Sequence, residues 1–311
     1  MNALEGILHF LCSVVVRPST RVRGIARERS QWGEEMLLTD WFPIYVARRI
    51  NLRPKTIGIY KIAIGKFDRW HLEKHGTPAD TKLLCVSLVA DWLSDLSNKE
   101  KLKPRSVNSY RSSINAIWTG AMIAGESPES NGRLVPSARV SRTIPIAWTL
   151  DDLAKLLEAA KTKRGRRKNR WGTIRRDFWV GMYLFLYDTG ARFGAALSVQ
   201  AVDVNIRKRT VLLRAENDKT DADQLVSISD ETADVLQRLI DDGHELVWPN
   251  GVNRQQLYDE HKRTLQSIGL PFDRYHMFHC FRKTTATQLT IAKSAEEASA
   301  ALGQPWPFRR T

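Results

Sequence analysis

The sequence predicts a mainly α protein of two domains, the first wholly helical and the second mixed α+β, mostly helical with a small antiparallel sheet. Three observations carry this reading. Apolar residues recur at three- and four-residue steps from Glu34 to Gly125. Glycines and prolines then break the pattern, at Gly125, Pro128, Gly132, Pro136 and Pro145. Beyond the break, two short β-branched runs stand among renewed helical stripes.

Taken in order, residues 1–30 read as a disordered basic arm, with Arg17, Arg21, Arg23, Arg27 and Arg29 and almost no apolar period. The helical domain takes residues 31–126. Its first helix covers 36–49, with Leu37, Trp41, Ile44 and Tyr45 on one stripe. A second follows Pro54 (Ile57, Tyr60, Ile64, Phe67, Trp70), a third spans 83–97 (Leu84, Leu88, Trp92, Leu96), and a fourth follows Pro104 (Val107, Tyr110, Ile114, Ile117, Trp118). Proline suits the first helical position, where its missing N–H costs nothing. The tryptophans on these stripes read as core rather than as base-stacking platforms. Residues 127–148 read as a linker.

The second domain takes residues 149–311. Thr149-Leu-Asp-Asp152 carries the cap signature of a helix over 150–160. A basic run, 161–170, follows, and then a strongly apolar helix over 175–188. Thr210–Leu213 and Leu225–Ile228 read as strands around the polar turn Asn217-Asp-Lys-Thr220. Helical patterns resume at 230–241, 253–267, 280–291 and 295–302.

The chain has 48 Lys+Arg against 34 Asp+Glu, a formal net charge of +14. That surplus favours a polyanionic partner, nucleic acid or an acidic membrane surface. It is uneven: residues 101–200 hold 18 positive and 7 negative side chains, whereas 201–250 hold 6 and 11. The excess therefore lies about the linker and the entry to the second domain. Candidate contacts to the polyanion are Lys55, Arg105 and Arg111 in the helical domain and Lys163, Arg164, Arg166, Arg167 and Lys168 in the basic run. Cys12, Cys85 and Cys280 are scattered without disulfide or Cys-x-x-Cys spacing, which fits a reducing, cytoplasmic setting. The apolar run Gly6–Val16 is too short to span a bilayer and lacks the basic flank of a signal peptide.

Four local features bear on chemistry: Asp188-Thr-Gly-Ala-Arg-Phe-Gly-Ala-Ala-Leu197, Asp218-Lys-Thr220, Phe278-His-Cys-Phe-Arg-Lys-Thr284, and Ala301-Leu-Gly-Gln304. Singly each is weak, and one His-x-x-Arg is expected by chance in a chain this rich in arginine. Their order is more specific. A Thr-Gly-x-Arg turn closes an apolar helix, a lysine turn follows 27 residues later, and His-x-x-Arg opens a helix 90 residues after the first arginine. Leu-Gly then ends a further helix. This series resembles the catalytic domain of the tyrosine recombinases, the phage-integrase family. Lys55-Thr-Ile-Gly-Ile-Tyr60 and Ser106-Val-Asn-Ser-Tyr-Arg111 are similar to that family's helical core-binding domain.

The resemblance implies a DNA integration and site-specific recombination role. Such enzymes attack a phosphodiester with a tyrosine, without metal, so fixed protein donors must meet the charge building on the phosphate oxygens. Arginine suits this because its planar fork donates parallel bonds and stays charged. By the resemblance, Arg192 and Arg282 are the two phosphate-binding arginines, Lys219 protonates the leaving 5′-oxygen, and His279 serves as acid/base or donor. Gln304 occupies a position where the family has His or Trp. The family's domains close on duplex DNA as a clamp, and a homo-oligomer on DNA is expected.

The nucleophilic tyrosine of the family lies about nine or ten residues beyond the position of Gln304, whereas the last tyrosine here is Tyr275. Strand cleavage is therefore expected to be absent from residues 1–311. The chain is then either a fragment or misread frame of an active recombinase, or a cleavage-dead DNA-binding remnant or competitor for recombination sites. A basic membrane-surface protein is the distant alternative. His276-x-x-His279-Cys280 lacks a partner pair at ligand spacing, so no metal is expected. No glycine-rich phosphate loop appears, so neither nucleotide nor other cofactor is implied.

Overall fold

The computed structural model describes residues 35–127, 132–141, 144–163, 175–217, 222–248, 253–294, 297–298 and 302. The chain divides into two units, residues 1–142 and 143–311.

The N-terminal unit holds four helices: α1 (Leu38–Ala47), α2 (Pro54–His75), α3 (Val86–Asn98) and α4 (Pro104–Ile123). Pro54 and Pro104 sit in the first helical turn, as their fixed φ favours. Helix α2 stops at Gly76, whose φ of +74° is the left-handed cap that glycine adopts without strain. Trp41, Phe67, Trp92 and Trp118 are fully buried at the centre of the unit, so these aromatic rings serve packing. Trp70 is half-buried and its indole N–H donates to Asp95 Oδ2 at 2.9 Å. Residues 132–138, within the stretch of scattered prolines and glycines, are bound to α4. Val135 is buried, Asn108 exchanges two hydrogen bonds with the Ala138 backbone, and Arg111 donates to the carbonyls of Val135 and Gly132.

The C-terminal unit is mostly helical, as expected. Helix α5 (Leu150–Lys161) opens with a complete capping box, Thr149 Oγ1 accepting from Asp152 N and the Asp152 carboxylate accepting from Thr149 N. Helix α6 (Arg175–Thr189) is buried on every side over residues 177–186, which makes it the axis of the unit. The short α7 (Phe193–Leu197) follows, then strands β1 (Val204–Asn205), β2 (Thr210–Leu213) and β3 (Gln224–Ser227). They form an antiparallel sheet in chain order, with Val204 opposite Val211 and Leu213 opposite Gln224. Helices α8 (Asp230–Asp241), α9 (Arg254–Ser267) and α10 (His279–Ala292) complete the unit. Residues 1–30 and most of the expected helix over 295–302 lie outside the described residues.

One core residue carried no sequence signal. His261 on α9 is fully buried, with Tyr183 Oη 3.0 Å from its Nδ1 and Phe278 stacked at 4.5 Å. Burial lowers its pKa from 6.5 to about 3; the Lys163 charge acts in the same sense and a His276 backbone group opposes it. Above pH 6.5 the imidazole is neutral in both folded and unfolded chains. As pH falls below 6.5 the unfolded chain takes up a proton that the folded chain refuses until about pH 3. Stability should therefore fall over that window, by up to about 1.4 kcal/mol per pH unit from this group. Urea unfolding between pH 4.5 and 6.5 should show a shallower pH slope in His261→Gln, and equal slopes would refute this account.

Candidate functional site

The site is built on the turn between α6 and α7. Thr189, at the end of α6, donates from Oγ1 to Phe185 O (2.6 Å) and accepts from Ala191 N (3.1 Å). Gly190 takes φ +58°, which reverses the chain. A Cβ there would collide with Leu302 Cδ2 and lie 3.3 Å from Thr285 Cβ, so glycine is required twice over, for the turn and for the close approach. Arg192 then caps α7, and its carbonyl accepts from Ala196 N.

Three other segments are fastened to this turn. Helix α10 presents His279 and Arg282 three residues apart, hence on one face. Arg282 is buried, and its guanidinium donates to Gly190 O (2.7 Å) and Leu302 O (2.5 Å). One turn further on, Thr285 Oγ1 donates to Tyr187 O at 2.6 Å. On the other side, Asp188 Oδ2 accepts from Ser229 N, Ser229 Oγ and Thr232 Oγ1, which ties the turn to the start of α8.

These ties bring Arg192, His279 and Arg282 together. His279 is exposed, and its imidazole pKa is lowered, first by partial desolvation and then by the charges of Lys283, Arg282 and Arg192. An anion placed among these groups would offset the three cations and favour the protonated ring. Two guanidiniums and a titratable imidazole form a donor set suited to a phosphate-like oxyanion. The neighbouring Cys280 thiol is buried and pushed up to about 11, so it is inert at neutral pH.

Lys219 and Gln304 lie outside the described residues, as do Arg164, Arg166, Arg167 and Lys168. Lys163 has most of its ammonium group inside the unit. It pairs with Glu260 (3.3 Å), donates to Thr264 Oγ1 (2.7 Å) and lies 4.6 Å from the Trp179 ring centre. Burial lowers its pKa despite Glu260. In the other unit Lys55 and Arg105 are exposed in the first turns of α2 and α4, turns that contain no acidic residue. A cation there opposes the helix dipole, so neither residue is placed to favour its own helix. Arg111 is half-buried on the carbonyls named above. Asp188, Gly190, Lys283 and Leu302 lie within the motifs noted above, but the motifs gave them no role, and Thr285 lies just outside them. Among the described residues no group of three His, Cys, Asp or Glu could hold a metal ion. No described helix is long and apolar enough to cross a membrane.

The sequence model of the phage integrase family matches residues 141–302, more than half of the chain. This chain belongs to the phage integrase family. Two relatives are both described as a putative tyrosine recombinase XerC. The one from Pseudomonas syringae is 25% identical over 191 residues, covering 58% of this chain and 37% of the relative. The one from Pseudomonas aeruginosa is 23% identical over 271 residues, covering 78% and 60%. The chain thus spans less than two thirds of either relative. Among solved structures, a lambda integrase tetramer bound to a Holliday junction matches with TM-score 0.66 and 18% identity, over 99% of this chain and 87% of that one. A lambda integrase dimer bound to a COC′ core site gives 0.64 and 18%, over 88% and 76%. The Tn1549 transposon integrase in complex with a circular intermediate DNA gives 0.62 and 13%, over 86% and 92%. These likenesses establish a shared fold, in keeping with the helical architecture and three-stranded sheet described above.

Proposed function

We propose that this chain binds double-stranded DNA as a recombinase does, holding a backbone phosphate among Arg192, His279 and Arg282, with Lys219 and Gln304 completing the donor set. The observation that carries the reading is the fastening of α10 to the 187–192 turn, which gathers Arg192 with a histidine and an arginine 87 and 90 residues further along the chain. The DNA in the lambda and Tn1549 integrase complexes supports it, and the lambda dimer and tetramer support a homo-oligomer on DNA. Lys55 and Arg105 in the N-terminal unit, and the basic run from Arg164 to Lys168, supply further backbone contacts. The process served is DNA integration or site-specific recombination, in the cytoplasm, and no cofactor is required.

Duplex affinity should fall steeply with salt, log K changing by about −0.9 per unit of log salt for each phosphate neutralised. Arg192→Ala should weaken binding about five- to thirtyfold and reduce the salt slope by about one contact, while thermal stability hardly changes. Electrophoretic or anisotropy titrations at several salt concentrations test this. A salt-independent Kd, or a loss of stability with no loss of affinity, would show that Arg192 is only a structural arginine.

A second reading concerns chemistry. A polypeptide of residues 1–311 has Tyr275 as its last tyrosine, four residues before His279. With a nicked suicide duplex that polypeptide should yield no covalent protein–DNA adduct. Denaturing gels of the reaction decide this, since a single adduct band would overturn it.

A further inference from the structure

The segment before α10 holds a second arrangement that the phosphate-binding set does not use. Asp273 braces it from inside, its Oδ1 accepting from Tyr275 N (2.7 Å) and lying 2.9 Å from His276 Nδ1. His276 N also donates to Asp273 O, and the His276 ring packs on Trp148 at 5.1 Å. A loop tied this way is fixed before any ligand arrives. Yet it leaves a large aromatic side chain in solvent, for Tyr275 is 46% exposed. Cations flank that ring: Arg274 lies 4.9 Å from its centre and Lys283, reaching out from α10, lies 5.9 Å away. Lys283 is the same residue whose charge acts on His279. The one carboxylate in the loop, Asp273, is occupied by His276 and the Tyr275 backbone. Packing does not explain an exposed ring with two cations drawn over it.

We infer that Arg274, Tyr275 and Lys283 form a second phosphate-binding surface, which grips the DNA backbone next to the phosphate held by Arg192, His279 and Arg282. The tyrosine ring is the platform. Cation–π attraction holds the guanidinium and the ammonium near one spot, so less side-chain freedom is lost when a phosphate binds. Lys283 joins the two sites, being close to both His279 and the Tyr275 ring. The inference rests on the duplex-binding reading above and extends it from one phosphate to neighbouring ones along the strand.

The test uses the full chain and a blunt duplex, titrated at several salt concentrations. Arg274→Ala and Lys283→Gln should each lower the salt slope by about 0.9, one phosphate contact. Tyr275→Phe keeps the platform and should bind like the parent, whereas Tyr275→Ala should lose about two- to fivefold in affinity. Thermal melts accompany each variant, and Arg274 and Tyr275, both exposed, keep the test valid if Lys283→Gln alters folding. Unchanged slopes in Arg274→Ala and Lys283→Gln, with a reduced slope in Arg192→Ala, would overturn this surface and leave the duplex reading standing. A parent chain without salt-dependent duplex binding would remove both.

Discussion

Arg282→Ala should destabilise the C-terminal unit by about 3–5 kcal/mol. The reason lies in what its guanidinium holds. Arg282 is 4% exposed, and it is the donor to the carbonyls of Gly190 and Leu302, which are themselves buried. Removing it strands two acceptors away from water and leaves a cavity beside the turn, and each loss carries its own cost. For a unit of this size the melting temperature should drop by about 6–20 °C. Arg282→Lys separates charge from geometry. One ammonium keeps the positive charge but cannot span both carbonyls as a planar fork does, so about half of the loss should remain. Urea unfolding followed by circular dichroism measures both variants. A loss below about 1 kcal/mol in Arg282→Ala would mean that the two carbonyls do not depend on this arginine.

Gly190→Ala should cost about 2–4 kcal/mol, with two separable contributions. The left-handed backbone at φ +58° accounts for about 1–2 kcal/mol, since any Cβ crowds the following carbonyl there. Overpacking against Leu302 Cδ2 and Thr285 Cβ supplies the rest. A double-mutant cycle tells them apart. Adding Leu302→Ala removes the collision but not the dihedral strain, so the pair should be more stable than the sum of the single losses predicts, by about 1 kcal/mol. Strict additivity would show that Leu302 gives way freely and that only the backbone matters. The turn also places Arg192, so Gly190→Ala should weaken duplex binding more than its stability loss alone accounts for.

Legibility in the sequence followed the range of the interactions. Helices α2 and α4 were readable because Pro54 and Pro104 mark their first turns, and α5 because Thr149 and Asp152 cap it within four residues. Helix α7 and strand β1, five and two residues long, are too short to show a period; β1 forms because Val204 finds Val211 across a tight turn. Lys163 illustrates the same limit among charges. In a run of basic residues it reads as solvent-facing, but Glu260, 97 residues on, draws it inside. Arg111 likewise has its partners 21 and 24 residues away, on backbone carbonyls that composition does not reveal.

The mainly α class, the order of the elements and the candidacy of Arg192, His279 and Arg282 are legible before folding, because periodicity, caps and motif spacing are properties of the local chain. How those three side chains meet is set by long-range packing. Gly190 against Leu302, Arg282 on two distant carbonyls, Thr285 on Tyr187 and Asp188 on Ser229 are contacts between segments 41 or more residues apart, except Arg282 with Leu302 at 20. Such contacts depend on how helices α6, α8 and α10 pack, and packing is a property of the whole folded unit rather than of any stretch of chain.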